Sequence, residues 1–565
     1  MQNSGYKNDC WIIQPYDGGR IMLNRHISRR SFLSISAMTA ATLALDWKQV
    51  HAMAAKMDSF DNYPTVIIGA GLGGLCCGAY LARQGIPVTV IEQHYVPGGY
   101  ATSFDRAAGK FTFEVSLHGT TVKNNAVERI LKNIGVYDRL EFVELPDIYC
   151  LKTPDFEINV PQRNPDLYIQ LLAEQFPEEA DGIRSFVYEM IGISDEVDQL
   201  HQNKGEYVTL IFPLQYRKMW HVRNLTLADM LDEHVQNQKL KDALAGLWGY
   251  YGLPPSRLSA FYYSVATGGY LKNGSYYVKQ RSQDLSNIMA EEIEKAGGKI
   301  LYNKTVTKIR TRENTVTGVE MSDGTNLVAR AVVSNASALT TFQKMLPENS
   351  VPSEYSDQLK RFRPSISSFI VWLGLNQDIT DRISCYGTHV SGKQGLETGY
   401  RSCIQGDIIN GPFGVAVYDK AFKGYSMPGT STLMLLFLCG YDPWRKFEAD
   451  YQNNRKQAYI VQKNEWTNIL IRRVEKSLIP GLSSMIEVKD AATPLTNWSY
   501  TGNTEGAIYG FEQSMDNAFM NRISNETPVD GLYLAGSWGN PGGGYEGALR
   551  SGEITFQKLM EKWGG

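Results

Sequence analysis

The sequence predicts an α/β protein built on a parallel sheet, and three observations carry that prediction. Residues 65–68 of "TVIIGAGLGGLCCGAYLARQGIPVTVIE" (65–92) are β-branched and apolar, and they run straight into spaced glycines. A second apolar run, "PVTVIE", ends on an acid some twenty residues later. Near the C-terminus a third run leads into another glycine loop, in "GLYLAGSWGNPGGGYEGALRSG" (531–552). Strand, glycine turn and helix in that order make a parallel βαβ unit.

The bulk numbers agree with a globular protein of more than one lobe. The chain has 565 residues, 43% of them hydrophobic and 20% charged, with a formal net charge of −3. That length supports a large core divided between lobes. A near-neutral balance excludes nucleic acid as a partner, because phosphate binding needs a concentrated basic face. Seven cysteines are too few for a disulfide framework at this length. Cys76 and Cys77 fall inside an expected buried helix, whereas Cys385 and Cys403 are candidates for pairing in an oxidising compartment.

In the first unit Gly69, Gly71 and Gly74 supply G-x-G-x-x-G, with Gly73 inside it and Gly78 one turn further on. The first glycine permits the tight turn, the second lets backbone approach a pyrophosphate, and the third lets helix and strand pack closely. The helix N-terminus then faces the anion with its unpaired N–H groups. Glu92, at the end of the next strand, is placed to accept hydrogen bonds from a ribose diol, and an acid there disfavours a 2′-phosphate.

The rest of the pattern narrows the dinucleotide to FAD. Gly98 and Gly99 follow Glu92 closely, and "GKFTFEVSLHG" (109–119) reads as a strand pair leading to a loop. In the C-terminal block the strand Leu532–Ala535 is followed by Gly536, Ser537, Gly543 and Gly544, then by a helix starting near Tyr545. Such a unit can close over the far end of an extended dinucleotide. Its helix would aim its N-terminus at the flavin N1/O2 region, where negative charge collects on reduction.

On these motifs the chain resembles the phytoene desaturase, carotenoid isomerase and retinol saturase family of flavoproteins. The resemblance extends through "YGLPPS" (251–256), "GGYLKNGSYYVKQRSQDLSNIMAEEIEKAGGKILYNKTVTKI" (268–309) and "VTGVEMSDGTNLVARAVVSNA" (316–336). It implies a Rossmann-like FAD-binding domain of the glutathione reductase type, assembled from discontinuous segments, beside a mixed α+β substrate domain. It also implies that backbone at Val306 contacts the adenosine half. The sequence departs from the family at two places. Ser537 stands where many relatives carry an acid, and Tyr100 stands where an arginine would follow Gly98-Gly99, which weakens an amine oxidase reading.

The expected division is a leader at 1–54, FAD-binding segments at 55–124, 261–344 and 491–565, and substrate segments at 125–260 and 345–490. The helix within "DLSNIMAEEIEKAGG" carries Leu285, Ile288, Met289 and Ile293 on one stripe and stops at Gly297-Gly298. A hairpin turn is expected at Asp323-Gly324. "SSFIVWLGL" (367–375) and "STLMLLFLCG" (431–440) read as buried strands, too short to span a bilayer. "YVTLIFPLQYRKMWHVRN" (207–224) mixes aromatic, aliphatic and basic residues, so it suits either a membrane surface or a partly buried loop and helix broken at Pro213.

No zinc-type cysteine pairs, H-E-x-x-H signature or nucleophile elbow are present, so no metal is expected. A single dinucleotide fingerprint argues against a second, NADPH-binding domain. Flavin would supply the redox chemistry, and a polyene guest would need apolar and aromatic walls, for which Tyr262, Tyr263, Tyr276 and Tyr277 are candidates. The candidate catalytic residues are His118, able to move a proton near neutral pH, Tyr545 and Glu546. His118 as a hydrogen-bonded structural histidine, and Glu546 as a carboxylate stabilising a helix N-terminus, are the competing readings.

"SRRSFLSISAMTAATLAL" (28–45) pairs Arg29-Arg30 with a modest apolar run, followed by Ala52-Met53-Ala54. That order matches a twin-arginine signal peptide, with translation starting at Met1 or Met22. Export of a folded protein fits a cofactor that is inserted where it is made. A periplasmic or otherwise exported enzyme, carried by the Tat translocase, would exchange electrons with a quinone or an exported carrier. The function expected is desaturation, saturation or cis–trans isomerisation of an isoprenoid-like lipid. The alternatives are a flavin amine oxidase and a non-catalytic flavin-bearing lipid carrier.

Overall fold

The computed structural model describes residues 65–116, 119–202, 211–392, 394–518 and 521–564. The leader 1–54 and His118 therefore lie outside the described residues.

A five-stranded sheet forms the centre of one lobe, in the order Leu532–Leu534, Ala331–Ser334, Thr65–Ile68, Val88–Ile91, Lys299–Leu301. Every pairing in it is parallel. The strands come from widely separated parts of the chain, as the discontinuous glycine motifs anticipate. Thr65–Ile68 is buried along its whole length, which is why it reads as an unbroken β-branched run and not as an alternation. Against the helix Leu72–Arg83, buried from Leu72 to Ala82, pack the helices Arg281–Lys295 and Tyr545–Gly564. Gly552 allows the last contact, since a Cβ there would stand 2.7 Å from Cβ of Cys76. Leu285, Met289 and Ile293 form the buried stripe of Arg281–Lys295, with Ile288 at its half-buried edge.

A small antiparallel sheet of Val306–Arg312, Thr315–Met321 and Asn326–Val328 adjoins this lobe. Its second turn lies at Asp323-Gly324, where Gly324 has φ +83°, a conformation that a side chain would strain. The second lobe is built on a seven-stranded sheet ordered Ile486–Ala492, Ser367–Leu375, Ser431–Cys439, Phe413–Val417, Gly387–Val390, Tyr149–Lys152, Glu157–Val160. All nine residues of Ser367–Leu375 are buried, so the apolar run is a central strand covered on both faces.

Several expectations are corrected. The strand Phe111–Glu114 pairs with Ser103–Arg106 upstream, so only one strand of that hairpin comes from 109–119. Helix Ala126–Asn133 packs on the C-terminal helix of the first lobe, and helix Ala260–Asn273 packs on Ala180–Gln202 of the second. Their own sequences carry no signal for either choice, because an apolar stripe does not name its partner. Cys385 lies beside Cys150, and Cys403 beside Cys439; all four are buried free thiols, and the Cys385–Cys403 pairing is not formed. Residues 207–210 of the mixed aromatic stretch lie outside the described residues. Its remainder forms short helices at Phe212–Gln215 and Arg217–Val222, with Leu214 71% exposed and Phe212 turned inward. Among the described residues no helix is long and apolar enough to cross a membrane.

Candidate functional site

One continuous cavity of about 1420 Å³ joins the two lobes. Pockets for single small ligands usually measure about 300–1,000 Å³. There is space for a cofactor with a guest beside it.

One end of the cavity is the glycine cradle. Gly69, Gly71 and Gly73 line it, and Gly74 does not, being pressed instead against the Gly69 carbonyl and Ile67. Gly74, expected among the cofactor-binding residues, thus serves the packing of helix on strand instead. The helix Leu72–Arg83 begins at Gly71 with no side-chain cap, leaving its N-terminus to a ligand anion. Gly98 is bridged to Gly71, and its N–H donates to the Ala70 carbonyl at 2.7 Å. Glu92 is buried on the cavity wall. Its Oε2 accepts from Ala70 N–H at 2.7 Å and its Oε1 from His94 N–H at 2.8 Å. Burial pushes its carboxyl above the usual carboxylate range, and the amide donors oppose that shift. Val306, buried at the start of its strand, lines the same end beside Lys304 and Thr305.

The C-terminal loop closes on this cradle. Gly536, Ser537, Gly543 and Gly544 line the cavity, and a Cβ on Gly73 would stand 2.5 Å from Gly536 N. Asn335 is the residue that the motif reading missed. It follows the strand Ala331–Ser334, and its N–H donates to Ile68 O at 2.9 Å. Its side-chain amide lies where Cβ atoms on Gly71 or Gly73 would fall, at 2.7 and 2.8 Å. Its only sequence signal is a polar residue at the carboxyl end of a parallel strand, the usual edge of a ligand crevice.

Of the expected catalytic residues, Tyr545 and Glu546 line the cavity at the start of the C-terminal helix. The Tyr545 hydroxyl donates to Ser282 Oγ at 2.7 Å. Glu546 Oε2 accepts from Thr121 Oγ1 at 2.5 Å, and its Oε1 faces Arg550 at 3.3 Å. Both groups are therefore already engaged.

Away from the cradle the walls become apolar and aromatic, with Val197, Leu200, Phe212, Met219, Trp220 and Val265. Tyr250, Tyr251, Tyr262, Tyr270 and Tyr509 add rings. Their hydroxyls are largely spent on the protein: Tyr251 bonds Thr267 Oγ1 at 2.7 Å, and Tyr509 donates to Gly249 O at 3.0 Å. Tyr270 and Tyr262 donate at longer range, to Gly119 O at 3.3 Å and Gly543 O at 3.4 Å. Burial raises all four phenols, so they stay neutral. Of the four tyrosines named from sequence only Tyr262 reaches the cavity. Tyr263 donates to Leu244 O at 2.7 Å and Tyr277 to Glu114 Oε1 at 2.5 Å, while Tyr276 sits in a strand pair with Phe142–Glu144; all three are core residues. Among the described residues no three His, Cys, Asp or Glu side chains converge as metal ligands would.

The chain is 24% identical over 527 residues to a protein named prolycopene isomerase 2, chloroplastic, of an Oncidium hybrid cultivar, covering 90% of this chain and 86% of that one. It is 25% identical over 509 residues to human all-trans-retinol 13,14-reductase, covering 84% and 82%. Among solved structures, an oxidoreductase of Methanosarcina mazei matches with a TM-score of 0.59 at 15% identity, covering 88% of this chain and all of that one. Cyclohexylamine oxidase of Brevibacterium oxydans matches with a TM-score of 0.57 at 15% identity, covering 89% and 98%. These structural likenesses establish the fold. Residues 72–555 match the family described as flavin containing amine oxidoreductase. The chain is thus an FAD-dependent enzyme, an oxidoreductase or isomerase, and it belongs to the flavin-containing amine oxidoreductase family.

Proposed function

We propose that this enzyme acts on the carbon–carbon double-bond system of an isoprenoid, carotenoid or retinoid-like lipid, by desaturation, saturation or cis–trans isomerisation. The observation that carries the reading is the continuity of one cavity from the glycine cradle to walls of aliphatic and aromatic side chains. A long polyene has no polar group to recognise, so a wall whose phenols are bound elsewhere suits it. Prolycopene, in the name of one relative, is a hydrocarbon of that kind, and all-trans-retinol, in the name of another, is a polyene with a single terminal hydroxyl.

Bound FAD would supply acceptance or donation of a hydride; the protein's part is to bind, orient and exclude water. Gly69, Gly71, Gly73, Glu92 and Val306 would hold the adenosine and pyrophosphate portions, in a glutathione reductase-type arrangement. Gly98 and Gly99, with Gly536, Ser537, Gly543 and Gly544, would hold the remainder. Tyr262 presents its ring beside Gly543 while its hydroxyl is occupied, so it walls the reacting carbons without offering them a proton. His118 is the candidate for proton movement, and Tyr545 for packing against the cofactor or guest.

The reading extends to location. The Arg29-Arg30 leader supports Tat export of the folded holoprotein, with a quinone or exported carrier as redox partner. The exposed Leu214 beside the inward-facing Phe212 supports peripheral contact with a membrane that stores such lipids.

Anaerobic mixing with all-trans-retinol and with a poly-cis carotenoid tests the proposal, followed by chromatography of the products and the flavin spectrum. A dihydro, dehydro or geometric isomer is expected. Peroxide formed from amines, with polyenes inert, would support the amine oxidase alternative that the family name and cyclohexylamine oxidase represent. Co-purified lipid with a flavin that never bleaches would support the carrier.

A further inference from the structure

Arg522 is the least expected charge in the cavity wall. It lies deep in the protein, and what remains accessible of it opens on the cavity. Its Nε and Nη2 donate to Gly539 O at 3.1 and 2.9 Å, and Nη2 also reaches Ser537 O at 3.4 Å. Its Nη1 donates to Gln513 Oε1 at 2.6 Å and Asn517 O at 3.3 Å. Every one of these acceptors is neutral.

Buried arginines normally meet a carboxylate, because an unpaired charge in a low-dielectric site is costly. The nearby acids are otherwise engaged: Glu546 faces Arg550 and Glu512 faces Arg257. Among the described residues, the ionisable group that bears on the guanidinium is the neutral phenol of Tyr262. Ser537, whose carbonyl Arg522 binds, carries no charge of its own. Burial pulls the guanidinium down to about 10, which leaves it cationic at neutral pH. The loop it holds is the one that closes the cofactor end, since a Cβ on Gly542 would stand 2.8 Å from Nη2.

We propose that Arg522 is a positioning residue whose fixed positive charge, unpaired with any carboxylate among the described residues, stabilises the negative charge left on FAD by two-electron reduction. In that step the cofactor gains a hydride, two electrons with one proton, and carries one negative charge; the guest loses the hydride. A cation held by neutral carbonyls acts on that charge with little reorganisation. Its consequence is a higher two-electron reduction potential of the bound flavin. The inference rests on the FAD site alone and stands whichever guest is bound.

The test is spectroelectrochemistry of the holoprotein and of R522K and R522Q, without substrate. R522Q is expected to lower the reduced-to-oxidised ratio at fixed poise at least tenfold, about 30 mV for a two-electron couple, while R522K stays within threefold of the parent. An unchanged ratio in R522Q with FAD retained would reduce Arg522 to a loop staple and overturn the proposal. The parent supplies a second measurement should R522Q lose FAD. Near about pH 6 its reduction is expected to take up one proton per two electrons, and uptake of two would overturn the proposal.

Discussion

Gly73 and Gly536, from opposite ends of the described chain, touch backbone to backbone: a methyl on Gly73 would lie 2.5 Å from the Gly536 nitrogen and 2.6 Å from its Cα. The N-terminal cradle and the C-terminal loop thus form one surface. Gly73→Ala gains helix propensity but forces two backbones apart, and overpacking costs about 1–3 kcal/mol. The expected outcome is a loss of about 2 kcal/mol together with poor FAD retention. Denaturant unfolding and the flavin-to-protein absorbance ratio check it. Gly387→Ala, with nothing within 4 Å of its Cβ, is the control and should change stability by less than about 0.5 kcal/mol.

Asp147 gives a pH dependence. Burial raises its carboxyl to about 6, and its Oδ1 has no hydrogen-bond partner. A folded-state value above the unfolded one means that the neutral acid is favoured on folding. The benefit is complete below about pH 4 and is lost as pH rises through about 6. Asp147→Asn should remove that loss and be more stable than the parent at pH 7 by about 1–3 kcal/mol. Melting curves of both proteins between pH 4 and 7 measure it, and parallel curves would contradict it.

The apolar wall makes a prediction about the guest. Val265→Asp puts a carboxylate on the cavity lining. FAD content and spectrum should be preserved, while kcat/KM for a polyene falls at least about 100-fold, because burying a charge opposite hydrocarbon is costly. Tyr262→Phe, which removes only a hydroxyl bound to Gly543 O at 3.4 Å, should stay within about threefold.

The polar candidates separate by their partners. Tyr545→Phe deletes a hydroxyl that donates to Ser282, so about 1 kcal/mol of stability should go and turnover should fall less than tenfold. Glu546→Gln weakens the contacts with Thr121 and Arg550 and should likewise act mainly on stability. His118→Gln should cost about 10²–10⁴ in turnover and flatten the pH–rate profile, as removal of a general acid or base does. Steady-state profiles of the three variants decide among them.

The FAD half of the molecule was legible from sequence because each part of it is a local constraint. A tight turn, a close approach to an anion and a strand covered on both faces each demand particular residues at fixed spacing. Hence Gly69, Gly71, Gly73 and Glu92, with Gly536, Ser537, Gly543 and Gly544 of the C-terminal loop, all reach the same cavity. The guest-binding half resisted such reading, since any apolar surface can cover any other. Tyr262 and Tyr263 are chain neighbours of one type, yet one faces the cavity and the other the core.

The sequence by itself determined a dinucleotide cradle, a parallel sheet and FAD as cofactor, because φ-restricted glycines and β-branched runs act within a few residues. Only the tertiary structure decided that Asn335 fills the junction of the glycines and that the Tyr251 and Tyr509 hydroxyls are bonded within the protein. It alone left Arg522 without a counter-ion among the described residues. Each of those depends on which distant carbonyls, acids and rings the folded chain brings within reach, and no stretch of sequence contains that information.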